Sequence, residues 1–208
     1  MFYNILDEKR IKLLPFLKFF KKDFYLAGGT GLALQIGHRD SVDFNFFTYE
    51  KIDTKKLFIK LKETFLDFKI LKIEEDENTM IVLIDGVKVS FFSYPYKLIG
   101  KIVNQDNLSI ASIEDIGCMK LSAIISRATI KDYIDLYYIL QKINLEKLLK
   151  KAVVKFQDID KNLILRSLVY FKDIKQEKIL FKNNNNIEIE EIEKYLKNEV
   201  KGISSLNT

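Results

Sequence analysis

A pair of adjacent glycines near the N-terminus restricts the fold more than any other feature of this chain. Gly28 and Gly29 follow the short apolar run 24–27 and precede a second apolar stretch. This pattern predicts a strand, a tight turn and then a helix that Thr30 caps and Gly37 ends. Glycines at such a turn allow backbone N–H groups to approach an anion closely.

Residues 41–48 predict a second strand directly after this helix. Side chains alternate between the two faces of a strand, so apolar residues fall on one face and polar residues on the other. The first face carries Val42, Phe44 and Phe46, and the second carries Asp43, Asn45 and Phe47. Asp43 and Asn45, two residues apart, therefore point in the same direction.

Composition excludes several classes of protein. The chain has 208 residues and is 48% hydrophobic, which is sufficient for a core. No run approaches the roughly 20 apolar residues of a membrane helix, and the N-terminus lacks the pattern of a signal peptide, so we expect a cytoplasmic protein with no membrane partner. The chain has one cysteine, Cys118, and one histidine, His38. This excludes an intrachain disulfide and any site built from several cysteines or several histidines. We expect Cys118 to be a small buried side chain on a helix.

The charge is unevenly distributed. The net charge is +5, and residues 142–182 hold eleven Lys or Arg against five Asp or Glu. Such a segment attracts polyanions in a salt-dependent manner. A solvated lysine-rich face explains the same composition.

The rest of the chain divides into an α/β half and a helical half. Before the glycine pair, residues 6–21 predict a helix that Pro15 kinks or delays. After the second strand, a helix begins at Asp53 or Thr54, and Asp85-Gly86 predicts a two-residue hairpin turn. This turn gives Asp85 a structural role. The remaining predicted strands are 68–73, 80–84 and 87–92. The chain beyond Pro95 predicts helices at 112–127, 130–141, 145–156, 162–171 and 188–200. We place the domains at 1–105 and 106–208.

The glycine turn and the second strand together predict a site for a polyphosphate. A helix N-terminus favours an anion, Thr30 adds a hydroxyl, and Asp43 with Asn45 could hold magnesium. Arg39 is placed to pair with phosphate or with Asp43. Taken singly, Gly28-Gly29 could be only a turn and Asp43 only a solvated acid.

The segment from Leu26 to Thr48 resembles the first motif of the AbiEii/AbiGii-type nucleotidyltransferase toxins, part of the DNA polymerase β-like superfamily. Its letters are LAGGTGLALQIGHRDSVDFNFFT. The resemblance continues in Ser112-Ile113-Glu114-Asp115, in the run 120–127, KLSAIISR, and in the run 131–136, KDYIDL. These motifs cover roughly residues 20–140 in the family's order.

The resemblance implies an α+β fold, with a mixed sheet flanked by helices and followed by a C-terminal helical region. It also implies an NTP substrate, Mg²⁺ or Mn²⁺, transfer to an RNA such as the tRNA acceptor end, and a cognate antitoxin. The candidate catalytic residues are Asp43, Asn45, Lys120 and Asp132, with Asp43 and Asn45 as metal ligands. The candidate nucleotide-binding residues are Gly28, Gly29, Thr30, Arg39, Ser41 and Arg127.

Two positions depart from the superfamily pattern. An acid is expected two residues after Asp43, where this chain has Asn45, and another on a neighbouring strand, where it has Ser90. Asparagine can donate a carbonyl oxygen to a metal but carries no charge. Asp132 is a candidate to compensate.

Three hypotheses remain open from the sequence. The first is the nucleotidyltransferase just described. The second is the same fold without turnover, binding nucleotide, RNA or a partner. The third is a structural or regulatory protein that uses its helical half as an interface. Lys120, Arg127, Asp132 and Asp135 share helix faces, so they could alternatively form an ion-pair network between helices.

Overall fold

The computed structural model describes residues 1–175 and 177–205. The N-terminal half begins with a short 3₁₀ helix at Tyr3–Ile5. Its helices are α1 (Glu8–Leu17), α2 (Gly28–Ile36) and α3 (Thr54–Thr64). Its strands are β1 (Tyr25–Ala27), β2 (Phe44–Thr48), β3 (Ile70–Glu75), β4 (Thr79–Ile84) and β5 (Val87–Ser93).

Two short strands lead into the helical half. They are β6 (Val103–Asn104) and β7 (Ser109–Ile110). The helices that follow are α4 (Ile113–Arg127), α5 (Ile130–Leu140), α6 (Leu145–Lys155), α7 (Lys161–Leu168) and α8 (Ile189–Ser205). Ser112 caps α4, because its hydroxyl accepts the N–H of Asp115 at 3.0 Å. No helix within the described ranges is long and apolar enough to cross a bilayer.

The seven described strands form one mixed sheet in the order β3-β4-β5-β2-β1-β7-β6. Strand β2 is central, antiparallel to β1 and parallel to β5. Strand β7 is parallel to β1 through Leu26 and Ile110, so the sheet extends past residue 105. The α+β class with a mixed sheet and a helical C-terminal region is confirmed, and the domain division at residue 105 stays a prediction.

The predicted hairpin turn is present between β4 and β5. Asp85 and Gly86 have φ of 47° and 81°, the left-handed values that a type I′ turn requires at both positions. Ile84 pairs with Val87 across the turn. Asp85 thus has the structural role in the turn that the sequence predicts, and its carboxylate also accepts the N–H of Lys69 at 2.8 Å.

The structure corrects the predicted start of α2. The helix begins at Gly28, and Ala27 occupies the N-cap without a side-chain hydrogen bond, so the prediction that Thr30 caps this helix is wrong. Gly37 ends the helix in the left-handed conformation, as predicted. Helix α1 starts at Glu8, capped by Asp7, and continues through Pro15 to Leu17.

Strand β2 is shorter than predicted, and two other strands were missed. Val42 lies before β2 and is half-exposed. Within β2, buried residues alternate with partly exposed ones, and Asn45 is partly exposed. Strands β6 and β7 lie in the region predicted to be helical. A two-residue strand is too short to show the alternation on which a sequence prediction depends.

Two hydrophobic clusters cover the sheet, and α2 contributes to both. The first packs helices α1 and α3 against buried sheet residues such as Phe46 and Phe91. The second contains α4 to α8 together with Tyr25 and Leu32. Since Leu34 of α2 belongs to the first cluster and Leu32 to the second, α2 holds the glycine turn firmly between the two halves.

Candidate active site

The glycine turn and strand β2 are in direct contact. Ala27, the last residue of β1, pairs with Asn45 of β2. Gly28 follows with φ of 66°, a conformation that favours glycine. A Cβ at Gly28 would lie 3.6 Å from Asn45 Nδ2. The first N–H groups of α2, which have no intrahelical partners, thus begin beside Asn45.

A pair of hydroxyls fastens the start of α2 to the segment before β2. Thr30 Oγ1 and Ser41 Oγ are 2.6 Å apart. Thr30 Oγ1 also donates to the carbonyl oxygen of Asp43. Because a hydroxyl has one hydrogen, Ser41 must donate to Thr30. Both side chains are buried, so their role in this structure is to fix the position of Asp43.

The turn, the strand and two helices surround one cavity of about 300 Å³. We call its first side the strand wall, which comprises Gly29, Ser41, Asp43 and Asn45. The opposite side is the helix wall, which comprises Lys120, Arg127 and Asp132. Eight of the ten predicted site residues line this cavity. The other two lie directly behind the lining: Gly28 is beside Asn45, and Thr30 is hydrogen-bonded to Ser41. The expectation that the glycine turn and Asp43 meet at one pocket is met.

Asp132 is fully engaged by neighbours on the helix wall. Its Oδ1 accepts from Lys120 Nζ and Arg127 Nη2, both at 2.8 Å. Its Oδ2 accepts from Arg127 Nε at 2.8 Å and Thr129 Oγ1 at 2.7 Å. Burial alone would raise the pKa of Asp132, but the hydrogen bonds from Arg127 and the charge of Lys120 outweigh it and lower the pKa to about 2.

Asp135, one turn further along α5, is the centre of the network behind this wall. The side chain is fully buried and accepts from Arg39 Nε at 2.7 Å and Arg39 Nη2 at 2.8 Å. Lys120 Nζ lies 2.5 Å from Asp135 Oδ2, and His38 Nε2 lies 2.7 Å from Oδ1. Burial would raise the pKa of Asp135, but the charges of Arg39 and Lys120 hold it well below its usual range.

His38 serves this network as a neutral donor. Burial lowers the pKa of His38, and the hydrogen bond to Asp135 only partly opposes this effect. The neutral ring then donates from Nε2 to Asp135, while Nδ1 is buried without a hydrogen-bond partner among the described residues. His38 thus orients the loop before β2, which agrees with the buried position of its neighbour Arg39.

Gly29 connects the two walls by close packing. A Cβ at this position would lie 2.5 Å from Arg39 Nη2 and 3.3 Å from Ser41 Oγ. Arg39 cannot move away freely, since its guanidinium is bonded to Asp135 and donates from Nη1 to the carbonyl of Asp40. Only a glycine fits between the helix start and this arginine.

A third side of the cavity comes from residues 177–180, which the sequence did not indicate. Phe181 forms an isolated bridge with Arg39, and the N–H of Asp40 donates to the carbonyl of Leu180 at 2.8 Å. Glu177 also forms an ion pair with Lys131, another lining residue. These contacts depend on the tertiary fold, so no local pattern could have found them. The sequence did contain a signal for Asp135, because it lies three residues after Asp132 and therefore on the same face of the helix.

Asp43 differs from the other acids of the cavity. Among the described residues, it is the lining carboxylate without an ion pair within 4.0 Å, whereas Asp40, Asp132 and Glu177 each have one. The hydroxyl of Thr30 donates to the backbone carbonyl of Asp43 and so fixes the backbone at this residue. The carboxylate of Asp43 is therefore held at the cavity without a cation paired to it among the described residues.

The oxygen donors of the strand wall fit one divalent ion. Asp43 supplies a carboxylate and Asn45 an amide oxygen, and magnesium is usually held by one or two carboxylates plus substrate phosphates. Ser90, paired with Asn45 across β2 and β5, is fully buried, and its hydroxyl has no hydrogen-bond partner in the described part of the chain. The described residues contain no group of three His, Cys, Asp or Glu that could hold a metal. The set therefore does not fit two ions held by protein carboxylates.

Cys118 takes no part in this site. It is fully buried in the helical cluster, as predicted, and burial raises the pKa of the thiol to about 12.

The N-terminus of α2 opens beside the acid-bearing central strand of a mixed sheet, and solved structures show that this fold is nucleotidyltransferase-like. A Helicobacter pylori protein assigned as a nucleotidyltransferase superposes with a TM-score of 0.64 at 22% identity, over 95% of this chain and 96% of that one. MenT4, a nucleotidyltransferase toxin of Mycobacterium tuberculosis H37Rv, superposes with a TM-score of 0.60 at 14% identity, over 91% and 80%. At these identities the likeness shows the fold alone.

The sequence identifies the family. The profile of the nucleotidyl transferase AbiEii toxins of type IV toxin–antitoxin systems matches residues 16–198, and the chain belongs to this family. An uncharacterized protein of Aquifex aeolicus is 39% identical over 188 residues, which cover 86% of this chain and 87% of that protein.

Proposed function

We propose that this family member is an NTP-dependent nucleotidyltransferase that requires Mg²⁺ or Mn²⁺ and modifies an RNA with a tRNA-like acceptor end. A cognate antitoxin would control it. The observation that carries the proposal is the meeting of the Gly28-Gly29 turn and Asp43 at one cavity. Family membership supports the reaction type, since nucleotide transfer is the activity for which the family is described.

Each wall has a separate task in this proposal. The N-terminus of α2 binds phosphate through the N–H groups that follow Gly28. Asp43 and Asn45 would hold the divalent ion, which neutralises the triphosphate when bound. Arg127 is half-exposed at the cavity, so it can contact a phosphate without leaving Asp132. Lys120 is buried between two aspartates and orients the helix wall.

Transfer joins the α-phosphorus of the NTP to a hydroxyl oxygen of the acceptor and releases pyrophosphate. Asp132 is a poor general base for the hydroxyl proton, because its pKa is about 2 and both of its oxygens are occupied. Asp43 is the lining carboxylate that has no ion pair with any described residue, so substitutions at this position are the sharpest test.

The test is incubation of the purified protein with each labelled NTP, Mg²⁺ or Mn²⁺, and total tRNA. We expect label transfer by the wild type and loss of transfer in Asp43→Ala. Asp67→Ala is the matched control, because Asp67 is an exposed acid outside the cavity. An absence of transfer with every nucleotide would contradict the proposal.

Asn45 motivates a second candidate, a binding protein of the same fold without turnover. Asn45 lies opposite Ser90 in register, so both positions expected to carry acids are neutral. Asp132 cannot compensate while four donors occupy it. Asn45→Asp separates the candidates: transfer that appears only in this variant favours lost catalysis, and equal transfer in the wild type favours the enzyme. Calorimetry with NTP, with and without Mg²⁺, then measures binding alone.

A further inference from the structure

A second cavity, of about 770 Å³, lies outside the site described above. The segment that follows β5 forms one side, and the C-terminal end of α6 with the residues after it forms the other. Its lining shares no residue with the first cavity. We call it the aromatic cavity, lined among others by Tyr49, Tyr96, Lys97, Ser122, Lys155 and Phe156.

Two tyrosines of this cavity present rings to solvent. Tyr49 is 50% exposed and Tyr96 is 39% exposed. The ring of Tyr96 packs edge-to-face against buried Phe156 at 4.8 Å and against Tyr94 at 4.9 Å. Tyr96 is thus held in position by its edges and neighbours while part of its surface stays open. Aromatic rings of this kind are stacking platforms for nucleobases.

The backbone of the cavity is fixed by a buried ion pair. Lys155 Nζ lies 2.8 Å from Asp115 Oδ1 and donates to the carbonyl of Lys97 at 2.8 Å. Asp115 also accepts the N–H groups of Ile99 and Gly100, both at 2.9 Å. The segment that carries Tyr96 is therefore fastened to α4 and α6, and the cavity is preformed for a ligand.

An exposed cation lies beside the aromatic rings of the cavity. Lys155 is neutralised by Asp115, but Lys97 is exposed and its Nζ lies 6.0 Å from the centroid of the Tyr49 ring. Asp158 of the lining is exposed as well, so the positive charge is confined to the Tyr49 side of the cavity. A cation beside exposed aromatic rings matches a base with its neighbouring phosphate.

A row of aromatic rings leads from the first cavity toward the second. Strand β2 carries Asn45 at the first cavity, and Tyr49 follows its end, about 13 Å further along at strand spacing. Phe47 lies between them and contacts Tyr94 at 5.5 Å between ring centroids. Tyr94 in turn contacts Tyr96. The first cavity thus lies near the start of β2, and the aromatic cavity lies just beyond its end.

We propose that the aromatic cavity binds an unpaired base of the RNA acceptor, stacked on Tyr49 and Tyr96, with Lys97 at the adjacent phosphate. This inference rests on the proposed function, because the proposed function is what identifies the ligand as an RNA acceptor. It adds the place where the acceptor is held and the feature that is recognised, an unpaired base close to the reacting end.

The test measures binding without NTP, using a short fluorescein-labelled single-stranded RNA and its blunt duplex. Tyr49→Leu and Tyr96→Leu should each weaken binding of the single strand by roughly 5- to 100-fold, the usual effect of removing a base-stacking ring. Duplex binding should not change, because no base is free to stack. Tyr96→Phe should bind the single strand like the wild type.

Tyr170→Leu is the matched control. Tyr170 is 50% exposed, like Tyr49, and lies in the basic segment but not at the aromatic cavity. The variant should bind the single strand like the wild type. Lys97→Gln should make the slope of log affinity against log salt concentration shallower by roughly one, the value of one phosphate contact. Far-UV circular dichroism of each variant shows that it is folded.

Wild-type affinity for the single strand in both tyrosine-to-leucine variants would overturn the inference. An equal loss in Tyr96→Phe and Tyr96→Leu would overturn it as well, since the phenyl ring still stacks. The proposed function fails separately: tyrosine-dependent binding without nucleotide transfer contradicts the enzyme and leaves the cavity assignment standing. Nucleotide transfer that is unchanged in Tyr49→Leu and Tyr96→Leu supports the enzyme and contradicts the cavity assignment.

Discussion

The two walls of the candidate active site differ in how their polar groups are used. On the helix wall, Asp132 and the adjacent Asp135 have every oxygen occupied by buried or half-buried cations and a hydroxyl. On the strand wall, Asp43 has no ion pair among the described residues, and Asn45 is partly exposed. Polar groups that are satisfied internally stabilise the protein, whereas unsatisfied ones beside a cavity are available to a ligand. The same cavity thus combines a structural side with a binding side.

The largest expected effect comes from Asp135→Asn. The change removes a buried charge that four donors share, and leaves Arg39 without its ion-pair partner and Lys120 with Asp132 alone. We expect the free energy of unfolding to fall by about 3–5 kcal/mol, measured by urea denaturation. A loss below about 1 kcal/mol would mean that the network does not have the structural role assigned to the helix wall.

Gly29→Ala should have the next largest effect, because it pushes the walls apart. The added methyl group would lie 2.5 Å from Arg39 Nη2, which is bonded to Asp135. We expect a loss of about 1–3 kcal/mol in the same denaturation assay. Gly202→Ala is the control. This glycine lies in α8, and among the described residues no heavy atom outside the local helix backbone lies within 4 Å of the new Cβ. The helix should therefore be unchanged or up to about 1 kcal/mol more stable.

Acid should weaken the helix wall specifically. The pKa of Asp132 is about 2 in the folded protein against an ordinary value of 3.8, so its contribution is fully present above that ordinary value. As the pH falls from about 4 to about 2, the unfolded state binds the proton first, and on the order of 2 kcal/mol is lost. Urea midpoints across this pH interval measure the loss. Asp132→Asn should reduce the loss over this interval by about that amount.

The smallest effect on stability is expected for Asp43→Asn. This is the same chemical change as Asp135→Asn, but no ion pair of the described residues is broken, so the free energy of unfolding should change by less than about 0.5 kcal/mol. Label transfer, in contrast, should fall by roughly 100-fold or more if Asp43 holds the metal. A large loss of stability would remove the distinction between the two walls.

The sequence predicted best what depends on neighbouring residues. The turn at Gly28 and Gly29, the left-handed end of α2 at Gly37 and the Asp85-Gly86 hairpin each follow from local backbone requirements. The side on which Asp43 and Asn45 lie follows from strand alternation.

What the sequence did not predict depends on residues far apart in the chain. Thr30 resembles a helix cap, yet its hydroxyl bonds to Ser41 and to the Asp43 carbonyl instead. The pairing of Lys120 and Arg127 with Asp132 was open as an alternative, because helix spacing shows which residues share a face and not which helices meet. The bond between Arg39 and Asp135 spans 96 positions, so no local pattern could reveal it.

The wall at residues 177–180 has a consequence for the timing of synthesis. A chain is made from its N-terminus, and early segments leave the ribosome before late ones exist. The glycine turn and β2 therefore emerge more than a hundred residues before the segment that closes their cavity by bonding to Asp40. A nascent chain carries the phosphate-binding turn without its enclosing side. The producing cell thus meets the complete cavity only after residues 177–180 have been synthesised.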